Sequence, residues 1–167
     1  MSTYLKKLEL KEPIEVFHLL QDAANGDWES LDSITLDEFQ KYLEDRYNED
    51  LGINLKKGRI PQTTYLLYAD GVPCGIIRIR REINEFLLKR GGHIGYYIKK
   101  DYRRKGYGKK MLSLCLDLLR KEGMEKVLIT CSIDNIGSQK IIEDNRGVLE
   151  NIVEETKRYW ITINKEV

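Results

Sequence analysis

The sequence predicts a mixed α/β domain in which strands and helices share one layered structure. Three observations carry that expectation. Short β-rich runs alternate with segments whose apolar residues recur at helical spacing, and the order closes on two strand-like runs. No repeat, low-complexity tract or linker interrupts the 167 residues, so a single domain over residues 1–167 with a sizeable core is expected. Between one strand-like run and one helix-like run lies KKDYRRKGYGKK, residues 99–110, with seven cations and two glycines.

The elements follow in order. Residues 4–10 suit a first strand. Pro13 suits the first turn of a helix carrying Val16, Phe17, Leu19 and Leu20, with Gly26 beyond its end. Thr35-Leu36-Asp37-Glu38 is a capping-box pattern, and Leu36, Phe39, Leu43 and Tyr47 continue it at helical spacing. Two helices therefore precede the main sheet. Residues 62–68 and 74–80 are β-rich runs around Asp70-Gly71, a hairpin turn. Residues 82–91 read as a polar connection with a Phe86-Leu87-Leu88 insert, and residues 93–99 as a strand. From Tyr107 onward, Met111, Leu114, Cys115 and Leu118 mark an amphipathic helix closed by Arg120, Lys121 and Gly123. Residues 127–131 form a short apolar strand of the buried parallel type. A short helix over 138–144 and strands over 148–153 and 158–163 finish the chain.

Composition narrows the class. Apolar content of 41% and charged content of 33% describe an ordinary globule rather than a disordered chain. The N-terminus MSTYLKKLEL has no apolar signal-type region, and no stretch approaches a transmembrane length, so no membrane partner is expected. Cys74, Cys115 and Cys131 are far apart among apolar neighbours without metal spacing. Buried, reduced thiols in a cytoplasmic protein without a metal site are the expectation. Residues 27–50 hold nine acids against Lys41 and Arg46, which reads as a solvated helix face or as an acidic wall attracting a cationic acceptor.

Net charge is only +1, so the cations of residues 99–110 are a local feature. Converging backbone N–H groups, glycines that admit a close approach and a helix N-terminus behind them are the parts that bind a phosphorylated ligand. The Walker spacing GxxxxGK[ST] is missing, and no third glycine completes a dinucleotide fingerprint. What fits is R-x-x-G-x-G, in Arg103-Arg104-Lys105-Gly106-Tyr107-Gly108, between a strand and a helix. A basic cap on a surface loop or a nucleic-acid contact would use the same residues. Nothing elsewhere extends the basic patch into a nucleic-acid footprint, and no nucleic-acid partner is expected.

The loop resembles the acyl-CoA pyrophosphate loop of the GNAT superfamily of N-acetyltransferases. The resemblance covers most of the chain from residue 62 onward, with a second signature at Asn135-Ile136-Gly137-Ser138 after the apolar strand. It implies a central mixed, largely antiparallel sheet flanked by helices, with a splayed parallel strand pair. It implies acetyl-CoA as co-substrate, held at Arg103, Arg104, Lys105, Gly106, Tyr107, Gly108 and Lys109. The pantetheine arm would enter the splay along the main chain of Ile98 and Lys100, and meet Asn135 with Ser138 at the next helix start. A loop turn at Asn135 and a helix cap at Ser138 are the purely structural alternatives.

Direct acetyl transfer to a primary amine of a small molecule or peptide, in a ternary complex, is the activity implied. A catalytically weak CoA-binding sensor is the alternative, and a homodimer stays open. Many relatives carry a tyrosine acid seven residues after the asparagine; here that position is Ile142. His93 is the candidate base, sharing one strand face with Gly95 and Tyr97 and titrating in the useful range. A hydrogen-bonded structural histidine is its alternative reading. Tyr96 or Tyr97 could donate a proton, and Cys131 lacks a recognisable His/Asp pairing for nucleophilic work.

Overall fold

Hydrogen bonding divides seven strands into two antiparallel sheets, and five helices flank them among the described residues. The computed structural model describes residues 2–26, 28 and 31–163. The first sheet runs in the order β1 (Thr3–Lys7), β2 (Thr63–Ala69), β3 (Val72–Ile79) and β4 (Ile94–Ile98). In the second, β7 (Thr156–Thr162) lies between β5 (Lys126–Ser132) and β6 (Val148–Val153). The helices are α1 (Ile14–Ala24), α2 (Leu36–Leu51), α3 (Glu85–Lys89), α4 (Tyr107–Lys121) and α5 (Ile136–Asp144). None of the described helices is long and apolar enough to cross a membrane.

This is the mixed α+β architecture that the sequence predicts, and local chemistry explains most of its joints. Asp70 and Gly71 both take positive φ, 49° and 82°, the backbone of a tight turn whose twist matches its two strands. At the start of α2 the Glu38 carboxylate accepts from both the backbone N–H and the hydroxyl of Thr35, at 2.9 Å each, completing the capping box. Three readings need correction. Residues 82–91 contain the short helix α3, capped by Asn84 Oδ1 accepting from Leu87 N at 3.0 Å; five residues are too few to show a period. The inner face of α4 is Met111, Leu112, Cys115, Leu116 and Leu119, while Leu114 and Leu118 are half-buried beside it. And β5 forms its ladder antiparallel to β7; its unbroken apolar run reflects burial on both faces rather than parallel pairing.

The two cores sit on opposite faces of the first sheet. Leu67, Ile77, Ile79 and Ile94 pack with α4, which also covers Val127, Ile129, Tyr159 and Ile161 of the second sheet. On the other face Leu66, Ile76 and Tyr97 pack with Val16 and Leu20 of α1 and Leu43 of α2. Helix α4 thus spans both sheets, and the junction between β4 and β5 lies beside it.

Candidate functional site

Strands β4 and β5 touch only near their first residues. His93 N donates to Leu128 O at 2.8 Å, and Leu128 N donates back to His93 Nδ1 at 2.9 Å. The imidazole thereby completes with its ring nitrogen the exchange that a backbone carbonyl would ordinarily make. Gly91 N adds a bond to Thr130 Oγ1 at 2.8 Å. Gly92, at φ 61°, passes so near Leu128 that a Cβ there would collide with the Leu128 carbonyl, so only glycine fits. Beyond this pin the strands part.

The opening is a cleft of ≈ 980 Å³. Tyr96 and Ile98 line one wall, Ile129, Thr130, Cys131 and Ser132 the other. In an antiparallel ladder backbone groups alternate between neighbours. Lys99 N–H bonds Cys74 O on β3 at 2.8 Å, so the alternate residues Tyr96 and Ile98 turn their backbone groups to the cleft. Ile98 O accepts from Arg103 Nε at 2.9 Å, and the Arg103 guanidinium lies 5.0 Å from the Tyr97 ring centre. Arg103 therefore anchors the loop to β4 while still lining the cleft.

The loop ends at the start of α4. Arg104 and Gly106 both adopt positive φ, 60° and 86°, and Gly106 is the residue that caps the helix. No heavy atom lies within 4 Å of a Cβ built on Gly106, so the glycine serves backbone conformation there. At Gly108 the reason is space: a Cβ would come within 2.5 Å of Ile141 Cδ1, and the glycine lets α4 settle against α5. The first N–H groups of the helix have no partner within it, and Arg104 and Lys109 beside this end are exposed.

At the start of α5, Asn135 Oδ1 accepts from Ser138 N at 3.0 Å, so Asn135 is the cap and Ser138 stands inside the first turn. Ser138 Oγ lies 2.6 Å from the Tyr96 hydroxyl, either one donating. Burial pushes the Tyr96 phenol well above its ordinary range, so it stays protonated. Burial likewise raises the Cys131 thiol.

Of the residues singled out from sequence, the cleft gathers Ile98, Arg103, Arg104, Gly106, Gly108, Lys109, Asn135 and Ser138. Four do not line it. Lys105 is exposed, and Tyr107 is buried against Tyr102 with ring centres 5.5 Å apart. Lys100 N–H is taken by Asp22 Oδ2 at 3.1 Å, which corrects its reading as an open main-chain contact. His93 is buried in the strand pin with its ring 6.3 Å from that of Trp160. Burial and the neighbouring Arg80 lower its pKa from 6.5. Ile142, at the position of the usual tyrosine, is fully buried in the core.

The acidic-wall expectation is also corrected. Of the described residues in 27–50, only Trp28 lines the cleft; Asp27 and Glu29 lie outside the described residues. Cations take that place instead. Arg78 of β3, on the sheet face that carries α1 and α2, lines the cleft with Arg80 and Arg90. Sequence reasoning missed them because alternate positions of a strand run read as core or solvent, and neither reading predicts a buried arginine. Glu154 and Glu155 of the β6–β7 turn complete the rim.

A splayed strand pair leading to a basic helix start defines the class of an acyl-CoA-dependent transferase fold. The chain belongs to the acetyltransferase (GNAT) family, whose description it matches over residues 19–147, well over half its length. No curated protein matches the sequence. Among solved structures it is similar to an acetyltransferase of Salmonella typhimurium that modifies the N-terminal serine of ribosomal protein L7/L12. That likeness has a TM-score of 0.73 at 14% identity, over 98% of this chain and 96% of that one. It also resembles N-acetyltransferase PseH of Campylobacter jejuni bound to acetyl coenzyme A, with TM-score 0.66, 10% identity and coverage of 98% and 100%. A third is a spermidine N-acetyltransferase chimera built from a Vibrio cholerae enzyme, with TM-score 0.68, 18% identity and coverage of 97% and 96%.

Proposed function

We propose that this chain, acting as one domain over residues 1–167 in the cytoplasm, transfers an acetyl group from acetyl-CoA to a primary amine in a ternary complex. The observation that carries the reading is the β4 edge: Tyr96 and Ile98 present backbone groups to a cleft that ends at the Gly106-capped helix start. The residues fit the co-substrate. The open edge suits an amide-bearing pantetheine arm, while the α4 N-terminus, Arg104 and Lys109 suit a pyrophosphate. Solved relatives bound to acetyl coenzyme A or coenzyme A support the same choice. Solved relatives named for a protein N-terminus and for spermidine support an amine as the acceptor.

The thioester supplies an activated carbonyl: the amine nitrogen bonds to its carbon, the C–S bond breaks, and the thiolate takes up a proton. The chain's part is mostly positioning, since holding both reactants in one cleft removes much of the barrier. A cleft-facing N–H of β4 polarises the carbonyl. The protonated Tyr96 hydroxyl, oriented by Ser138, donates a hydrogen bond to the departing sulfur. The amine's proton leaves through water toward Glu154 and Glu155 at the rim. In this reading His93 positions β4 and β5 instead of acting as base, because its Nδ1 accepts from Leu128 N–H. Ile142 in place of a tyrosine acid favours modest turnover, and the CoA-sensor reading is its limiting case.

The test removes charge without touching the fold. Arg104 and Lys109 are exposed, and changing both to Ala should weaken acetyl-CoA binding about tenfold or more by calorimetry, with the melting temperature unchanged. Unaltered affinity in the double variant would discard the cofactor assignment.

A further inference from the structure

Arg78 is only 4% exposed, yet among the described residues its guanidinium has one hydrogen bond, from Nη2 to the Tyr42 hydroxyl at 2.8 Å. Its Nε is buried with no hydrogen-bond partner among the described residues, and the Trp28 ring lies 5.1 Å from the guanidinium carbon. Trp28 Nε1 is a second buried donor with no partner among the described residues. Buried charges in folded proteins are ordinarily paired, because an uncompensated one costs several kcal/mol. Among the described residues no carboxylate lies within ion-pair distance of Arg78.

Arg80, two residues along the same strand face, repeats the pattern. It donates to Gly92 O at 2.9 Å, Gln62 Oε1 at 3.1 Å and Gly91 O at 2.9 Å, all neutral acceptors. Burial and the neighbouring Arg78 lower its pKa to about 10, and the Glu49 carboxylate offsets only part of that repulsion. Both line the cleft, and so does Trp28. Across the ladder Arg78 faces Gly95, where a Cβ would meet Arg80 Nη2 at 3.6 Å. Gly95 precedes Tyr96, so this cationic corner and the reaction edge are neighbours at about 3.3 Å per residue.

Resting on the acetyltransferase reading above, we propose that the acceptor carries a carboxylate a few bonds from its amine, and that Arg78 and the Trp28 indole N–H bind it. The planar guanidinium fork matches a carboxylate in geometry as well as charge. Arg80 adds long-range attraction, and the acceptor is of the amino-acid class.

The experiment compares amines that share a chain and differ at the far end: L-alanine and 4-aminobutyrate, their carboxamides, 3-aminopropylphosphonate and 1,4-diaminobutane. Coenzyme A release is followed with acetyl-CoA saturating. The carboxylates should exceed their carboxamides by tenfold or more in kcat/KM, and the phosphonate should fall below them. In Arg78→Gln that ratio should collapse toward one. In Trp28→Phe, which keeps the ring and removes the donor, it should fall several-fold, so the test survives a poorly folding Arg78 variant. As a second readout, Trp28 fluorescence in protein saturated with CoA should respond to the carboxylates and not to the carboxamides. Carboxamides or the diamine performing as well as the carboxylates, or a fluorescence response blind to the carboxylate, would overturn the proposal. Failure of acetyl-CoA to bind at all is a separate result, read by calorimetry, and refutes the acetyltransferase reading instead.

Discussion

At His93 a single ring nitrogen decides how two sheets meet. Leu128 N–H donates to Nδ1, so the imidazole must be neutral for the pin to close. Burial and Arg80 lower the folded pKa below 6.5, and in the window between the two values the unfolded chain binds the extra proton. Stability from this residue is therefore complete above about pH 6.5 and falls as the pH drops below it. Replacing His93 by Ala should cost about 1–3 kcal/mol at neutral pH, because it strands the Leu128 N–H and removes the contact with Trp160. Urea midpoints measured from pH 7.5 to 5 should decline more steeply in the wild type than in the variant. Equal slopes would show that His93 does not titrate with folding. Turnover should drop far less than the roughly 10²–10⁴-fold expected for loss of a general base, and the acidic limb of the rate profile should persist.

At the scale of elements, legibility followed length and punctuation. Helix α2 announced itself by Thr35 and Glu38, and the β2–β3 hairpin by Asp70-Gly71, because each signal is local chemistry. Helix α3 is too short for a period, and its Phe86 is 70% exposed, so apolar character misled there. The loop before α4 was readable as a ligand-binding turn, yet which of its cations face the cleft depends on the twist of α4 against α5. Helix α5 makes a sharper test. Ile142 stands at the position where relatives carry a tyrosine, but here it is fully buried, and Gly147 N closes the helix onto its carbonyl at 2.9 Å. Ile142→Tyr should therefore not restore an acid. It should overpack the core and bury an unpartnered hydroxyl, costing about 1–3 kcal/mol, read as a lower melting temperature. A stable variant with faster turnover would mean that the helix presents this position to the cleft after all.

For the molecule as a whole, the central fact is that two sheets share a core through α4 yet, among the described residues, are joined along the strand edge by the pin at Gly91, Gly92 and His93. The order of elements predicted the layers, whereas the separation into two sheets rests on long-range contacts that no local pattern encodes. The same applies to Arg78 and Trp28, which lie far apart in the chain and meet only in the folded molecule. Below the pin, β4 is an edge strand inside the protein, with the N–H groups of Tyr96 and Ile98 turned to the cleft rather than to a neighbouring strand and Ile98 O taken by Arg103. Such amides exchange readily, because no local unfolding is needed to reach them. Hydrogen exchange should therefore find Tyr96 and Ile98 fast in the free protein, beside the slow amides of Tyr97 and Lys99 that bond to β3. Acetyl-CoA should slow both selectively, as its arm pairs with the edge, and at a concentration 100 times Kd it should add about 2.7 kcal/mol to global stability. Protection spread evenly over β4 in the free protein, or an edge indifferent to acetyl-CoA, would mean that β4 is not where the ligand docks.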